Sequence, residues 1–174
     1  MAPQTLYFAS TPPNPAFVGN SYNLSVWTNG NSGSPIVKTS KTTSICTISG
    51  GGSQIKTVGP GFCIVAANQA GGNGYLAAPE ATQGFAVWIY QAITFTSSPP
   101  HNARVGGTYL VTAKGGASGN PVIFQILYPY VGCSINGSTV SFLAAGTCSI
   151  GANQGGTVNG YYPAAQVNQS FNIR

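Results

Sequence analysis

Few side chains in this chain can do covalent or metal chemistry, and their spacing narrows the choice further. There is one carboxylate, Glu80, one imidazole, His101, and no Asp. Acid–base catalysis by paired carboxylates needs two acids, and a Ser-His-Asp arrangement lacks its Asp. Glu80 and His101 fall in different halves of the chain, in segments that read as solvated turns. A calcium site wants several carboxylates. Zinc wants close ligand pairs such as Cys-x-x-Cys, and none is present. The Gly-rich segments lack the Gly-Lys-Ser/Thr ending of a phosphate loop. No catalytic, cofactor-binding or metal-binding residue is therefore expected. What remains is sulfur: Cys46, Cys63, Cys133 and Cys148, with sixteen residues between the first two and fourteen between the last two. Four cysteines allow three pairings. A repeat within the chain favours one pair per half, as a disulfide or as adjacent buried thiols. Oxidation fits an extracellular surface or particle.

The elements that must position these cysteines come in duplicate. Gly61-Phe62-Cys63-Ile64-Val65-Ala66-Ala67-Asn68-Gln69 is echoed by Gly146-Thr147-Cys148-Ser149-Ile150-Gly151-Ala152-Asn153-Gln154. In the second copy Cys148, Ile150 and Ala152 alternate with Thr147, Ser149 and Gly151, the period of a half-buried strand. The flanks repeat too. Gln4 to Phe8 matches Gln91 to Phe95, each leading to a Pro-Pro pair that cannot donate to a ladder and so ends the strand. Tyr22 to Trp27 matches Tyr109 to Lys114 as a second strand, with Tyr22, Leu24 and Val26, and Tyr109, Val111 and Ala113, facing inward. Ser-Gly-x-Pro turns precede third strands at Ile36 and Val122. The closing strands run from Thr82 to Val87 and from Asn168 to Ile173. Some seven short strands per half predict an all-β chain of two β-sandwiches, covering 1–87 and 91–174 with a short apolar linker at 88–90.

Composition supports this reading. With 24 Gly, 12 Pro and regular alternation, the chain predicts many short strands and tight turns. Only 4% of residues are charged, against about 25% in an ordinary protein. The net charge of +5 arises from missing acids, and a surface so poor in charge associates readily. Lys38, Lys41 and Lys56 share one half without aromatic interleaving, so no nucleic-acid partner is expected. No apolar run approaches the roughly 20 residues of a membrane span. Met1-Ala2-Pro3 leads into the first strand without the pattern of a signal peptide. That start leads us to expect either a mature or excised fragment with an added Met or a chain never exported by a signal peptide, and the stop at Arg174 directly after the last strand leads us to expect no cell-wall anchor or further domain.

The combined motifs resemble the bacterial immunoglobulin-like repeats of large surface and secreted proteins and of phage particles. They are Gln-x-Ile-x-Phe-x-Ser-x-Pro-Pro, Val-Gly-Gly-x-Tyr-x-Val, Ser-Gly-Asn-Pro-Val, two cysteines around Gly-Ser-x-Val-x-Phe, and Gly-x-Cys-x-Ile-x-Ala-Asn-Gln followed by Tyr. Gln91 to Arg174 matches throughout. The first half is similar but diverged, with Val-Gly-Asn at 18–20 and a longer turn at 49–53. The resemblance implies two tandem immunoglobulin-like β-sandwiches without enzymatic activity, in a family that serves as spacer, adhesin and virion decoration. It also raises one covalent possibility, since some immunoglobulin-like domains join a Lys to an Asn beside an acid. Glu80 could serve the first half in this way, whereas Gln166 stands at its place in the second.

Comparing the halves directs attention to contact surfaces. Trp27 stands where the second half has Lys114, Phe17 where it has Arg104, and Phe62 and Ile64 where it has Thr147 and Ser149. Exposed apolar groups of this kind mark interfaces. Phe17, Trp27, Phe62, Ile64 and the linker residue Trp88 are the interface candidates, for a capsid protein or further copies of the chain. In the second half, the loop Leu127-Tyr128-Pro129-Tyr130 offers Tyr128 and Tyr130 for surface contact, with a host glycan as the expected ligand. The functional expectation is a bacteriophage virion decoration or head-fibre protein. The alternatives are a spacer segment of a bacterial surface adhesin or a carbohydrate-binding module of a larger enzyme.

Overall fold

A computed structural model describes residues 1–129, 131–157 and 160–174. The chain divides into two units, Met1–Ile89 and Tyr90–Arg174. The first contains β1 (Leu6–Phe8), β2 (Ala16–Phe17), β3 (Ser21–Asn23), β4 (Val26–Thr28), β5 (Ile36–Ser40), β6 (Cys46–Ser49), β7 (Gln54–Thr57), β8 (Gly61–Gln69) and β9 (Ala81–Trp88). One sheet has the order β2-β9-β8-β5, a second β3-β7-β6, and β1 pairs with β4. The second unit repeats the plan with β10 (Thr94–Phe95), β11 (Thr108–Leu110), β12 (Ala113–Lys114), β13 (Val122–Ile126), β14 (Cys133–Asn136), β15 (Thr139–Phe142), β16 (Gly146–Gln154) and β17 (Val167–Ile173). Its ladders are β13-β16-β17, β11-β15-β14 and β10-β12.

Alternation along the paired long strands builds the cores. Cys63 and Val65 on β8, Phe85 and Val87 on β9, and Ile55 on β7 are buried together with Leu24 and Cys46. Cys148, Ile150, Phe171, Ile173, Val140 and Val111 do the same in the second unit. Gly61 and Gly146 open the repeated strands with φ of 133° and 144°, a backbone region that glycine alone enters without strain. That explains the glycine of the repeated Gly-x-Cys motif. The cysteines are joined as Cys46–Cys63 and Cys133–Cys148, with Cα–Cα separations of 5.7 and 5.6 Å. Because β6 and β8 belong to different sheets, as do β14 and β16, each bond ties one sheet to the other through the core.

The second strand differs from the uninterrupted run expected between Tyr22 and Trp27. It breaks at Leu24–Ser25, and its two pieces pair differently, β3 with β7 and β4 with β1. The cause is a serine fifteen residues upstream. The Ser10 hydroxyl accepts the Ser25 N–H at 3.1 Å, where a neighbouring strand would otherwise bond. Ser97 does the same for Thr112 at 2.9 Å, and the second unit breaks between β11 and β12. The serine ahead of each Pro-Pro pair is thus a backbone acceptor that passes the strand from one ladder to the other. Next to it, the Tyr22 hydroxyl donates to Gln83, whose carboxamide donates to the Ser10 carbonyl. Burial pushes the Tyr22 hydroxyl up to about 12. Tyr109, Gln169 and Ser97 repeat that chain of bonds.

Candidate functional site

The outer face of the β2-β9-β8-β5 sheet gathers four of the five interface candidates. Cys63 and Val65 are buried, so Phe62 and Ile64, which alternate with them on β8, face outward. On β9 the opposite residues are Ala86 and Gly84. Phe17 lies beside Trp88 in the parallel β2–β9 ladder. Phe62 is 57% exposed, while Ile64, Phe17 and Trp88 are half-buried. The Phe62 ring lies against Gly84, where a Cβ would come within 2.6 Å of its Cε1 atom. Gly84 therefore lets the ring lie down on the sheet. Trp27 is not part of this face. It sits on β4 against Tyr7 of β1, in a ladder separate from the β2-β9-β8-β5 sheet. The five candidates thus form a cluster of four and a separate aromatic pair.

In the second unit the positions that match Phe62 and Ile64 are polar and bonded to their cross-strand neighbours. Thr147 donates to Asn172 at 3.0 Å, and the Ser149 and Ser170 hydroxyls meet at 2.9 Å. Gln125 donates to Gln166 and Gln166 to Asn168, at 3.2 and 2.8 Å. The Thr147–Asn172 and Ser149–Ser170 pairs stand, register for register, where the first unit has Phe62–Ala86 and Ile64–Gly84. Tyr128 is 82% exposed, and Tyr130 lies outside the described residues.

The acid of the first unit has found both a Lys and an Asn. Lys41 Nζ lies 2.9 Å from Glu80 Oε2, and Asn68 donates to the same oxygen at 3.0 Å. The Lys41 N–H bonds the Ile64 carbonyl, so its side chain must run along the outer face past Ala66 to reach Glu80. Ala66 is fully buried although it belongs to the outward series of β8, as expected beneath an aliphatic lysine stem. Leu127 covers Gly151 at the same place in the second unit. Amide formation between Lys41 and Asn68 would need an uncharged amine and a protonated acid in a dry site. Here the Lys41 and Glu80 side chains are 48% and 38% exposed. The Asn68 hydrogen bond, then that from Lys41, hold the Glu80 carboxyl below its ordinary range. The arrangement is a solvated ion pair with an amide partner. We expect the intact mass to equal the sequence mass less the four hydrogens lost to two disulfides. A further loss of one ammonia would show that a Lys–Asn bond had formed.

Among the described residues no group of three or more His, Cys, Asp or Glu side chains gathers to hold a metal, and no helix is long and apolar enough to cross a membrane. No protein-family model matches the chain, and no curated protein matches it. Solved structures do. Extracellular domains 3–5 of Drosophila OTK align over 97% of this chain and 61% of that one, with 9% identity and a TM-score of 0.51. Immunoglobulin domains 1–4 of Sidekick-1 align over 98% and 48%, at 13% identity and a TM-score of 0.47. Domains 4 and 5 of the S-layer protein SbsC align over 98% and 96%, at 13% identity and a TM-score of 0.36. The chain is a pair of tandem immunoglobulin-like β-sandwiches. At these identities the likeness concerns the fold, and function has to be argued from the surfaces.

Two features escaped the sequence reading. Tyr7 reads in the sequence only as part of the first strand; Trp27 is the signal, but recognising its partner requires the β1–β4 register. Gly84 carries no pattern of its own, and its value lies in the Phe62 ring that covers it.

Proposed function

We propose that the chain is a non-enzymatic structural or adhesive module, held to a protein partner by the outer face of β2-β9-β8-β5. Within that class, a bacteriophage virion decoration or head-fibre protein is the reading we favour, with the second unit presented to the host surface. The observation that carries the docking face is its contrast with the second unit. On the same fold and at the same register, Phe62 and Ile64 replace Thr147 and Ser149, and Phe17 and Trp88 extend the apolar patch. Sheet and strand propensity do not require this, because the second unit forms the same ladders with hydroxyls. Two disulfides support an extracellular or surface setting.

Light scattering on a sizing column at physiological salt tests the face. The wild type is expected to run as a closed oligomer. Phe62→Ser is expected to weaken the association about 30-fold or more, the loss of one buried aromatic anchor, with an unchanged circular dichroism spectrum. A wild-type monomer at every concentration, or an oligomer indifferent to Phe62→Ser, would overturn the docking face and favour a spacer segment.

A further inference from the structure

The β1–β4 ladder of the first unit carries an aromatic pair with no counterpart in the second. Tyr7 and Trp27 are direct cross-strand partners. Their rings stack with centroids 4.4 Å apart and planes 20° from parallel. Stacking covers one face of each ring and leaves the opposite face to solvent, so that Tyr7 is 41% and Trp27 51% exposed. The two equivalent positions in the second unit are Thr94 and Lys114. The fold therefore does not need aromatic residues here, and holding two of them in water forgoes the gain from burial.

The surroundings narrow what these rings meet. Thr5 and Ala9 flank Tyr7, and Ser25 and Asn29 flank Trp27, all of them exposed. The backbone of this strip is fixed at both ends. Asn29 N–H bonds the Thr5 carbonyl and Thr5 N–H bonds the Asn29 Oδ1 atom, while Ala9 N–H bonds the Ser25 carbonyl. The Asn29 Nδ2 amide and the Thr5 and Ser25 hydroxyls keep their hydrogen-bonding capacity, and none of residues 5–9 and 25–29 is charged. An anion finds no cation on the strip. A cation, which also stacks on indole, approaches a chain of net charge +5. An apolar protein surface would leave the amide and hydroxyls unanswered. A pyranose ring answers both features, because its C–H face packs on an aromatic plane and its hydroxyls exchange hydrogen bonds with neutral amides and hydroxyls.

We propose that the Tyr7–Trp27 strip binds an uncharged polysaccharide, with one sugar ring against the outer face of Trp27 and its hydroxyls on Asn29 and the neighbouring Thr5 or Ser25. This goes beyond the docking face and does not depend on it, since Trp27 belongs to a different ladder from Phe62. The test is native electrophoresis of the full chain through gels containing dextran, mannan, xylan, galactomannan or mixed-linkage β-glucan, with a polysaccharide-free gel as reference. At least one of the five is expected to retard the wild type. Trp27→Ala is expected to raise the dissociation constant about tenfold or more. Trp27→Tyr, which keeps a stacking plane, should stay within a few-fold of wild type and guards against misfolding as the cause. Absence of retardation in all five gels, or equal retardation of wild type and Trp27→Ala, overturns the proposal.

Discussion

Cys133→Ala combined with Cys148→Ala is expected to lower the melting temperature of the second unit by roughly 12–24 °C. The bond closes a loop of sequence separation 15, and in the chain-entropy model such a closure stabilises by about 3 kcal/mol. For a domain of this size, each kcal/mol moves the midpoint about 4–8 °C. Lost packing adds to the entropic term. Cys148 is fully buried and Cys133 nearly so, among Val140, Ile150 and Phe171, and removing two sulfur atoms from a close-packed core leaves a void. Apart from the apolar core, little else holds the sheets together. The chain's single ion pair among the described residues, Lys41–Glu80, is exposed and belongs to the first unit. Against a typical total of about 5–15 kcal/mol, losing 3 or more leaves the unit marginal. The Cys46–Cys63 bond, of separation 17, predicts an equal loss in the first unit. Scanning calorimetry of the two double variants checks both figures. A shift of a degree or two would mean that core packing alone specifies the sandwich.

Much of this architecture was legible because it is periodic and duplicated. Alternation about Cys63 and Cys148 assigned inward and outward faces, and the repeat aligned one half on the other. What stayed hidden depends on partners distant in sequence. The break at Leu24–Ser25 follows from the Ser10 hydroxyl, a contact no local pattern announces. Alternation marked Trp27 and Phe62 as outward, but it does not say which ladder a strand joins, so one candidate surface became two. Phe17 and Trp88 meet through a parallel ladder between segments some seventy residues apart. Glu80 was visible as the only acid. Its tie to Lys41 depends on a side chain crossing the outer face of β8 over Ala66, which residue type alone does not reveal.

The same limit separates two glutamines that the sequence presents as identical, and it yields the second large effect. Gln69 and Gln154 both close an Ala-Asn-Gln motif, and both are buried. Gln154 makes three backbone bonds. Its oxygen accepts the Gly116 N–H at 2.7 Å, and its nitrogen donates to the Asn120 and Gly116 carbonyls at 2.7 and 3.3 Å. Gly115 makes room, since a Cβ there would lie 2.6 Å from the Gln154 oxygen. In the first unit the loop carries one extra residue, Thr28, and its hydroxyl captures the Gly30 N–H, the counterpart of Gly116. Gln69 retains only its bond to the Ser34 carbonyl at 2.8 Å, and its oxygen has no partner. Gln154→Leu therefore strands three backbone groups, a loss of about 3 kcal/mol at roughly one per bond. Gln69→Leu strands one group and removes a buried unsatisfied oxygen, terms of about 1 kcal/mol or more that oppose each other. Thermal melts of the two single variants should differ by about 8 °C or more, with Gln154→Leu the less stable. Equal losses would show that Gln69 is as fully bonded as Gln154, and that the extra Thr28 leaves the first loop as well satisfied as the second.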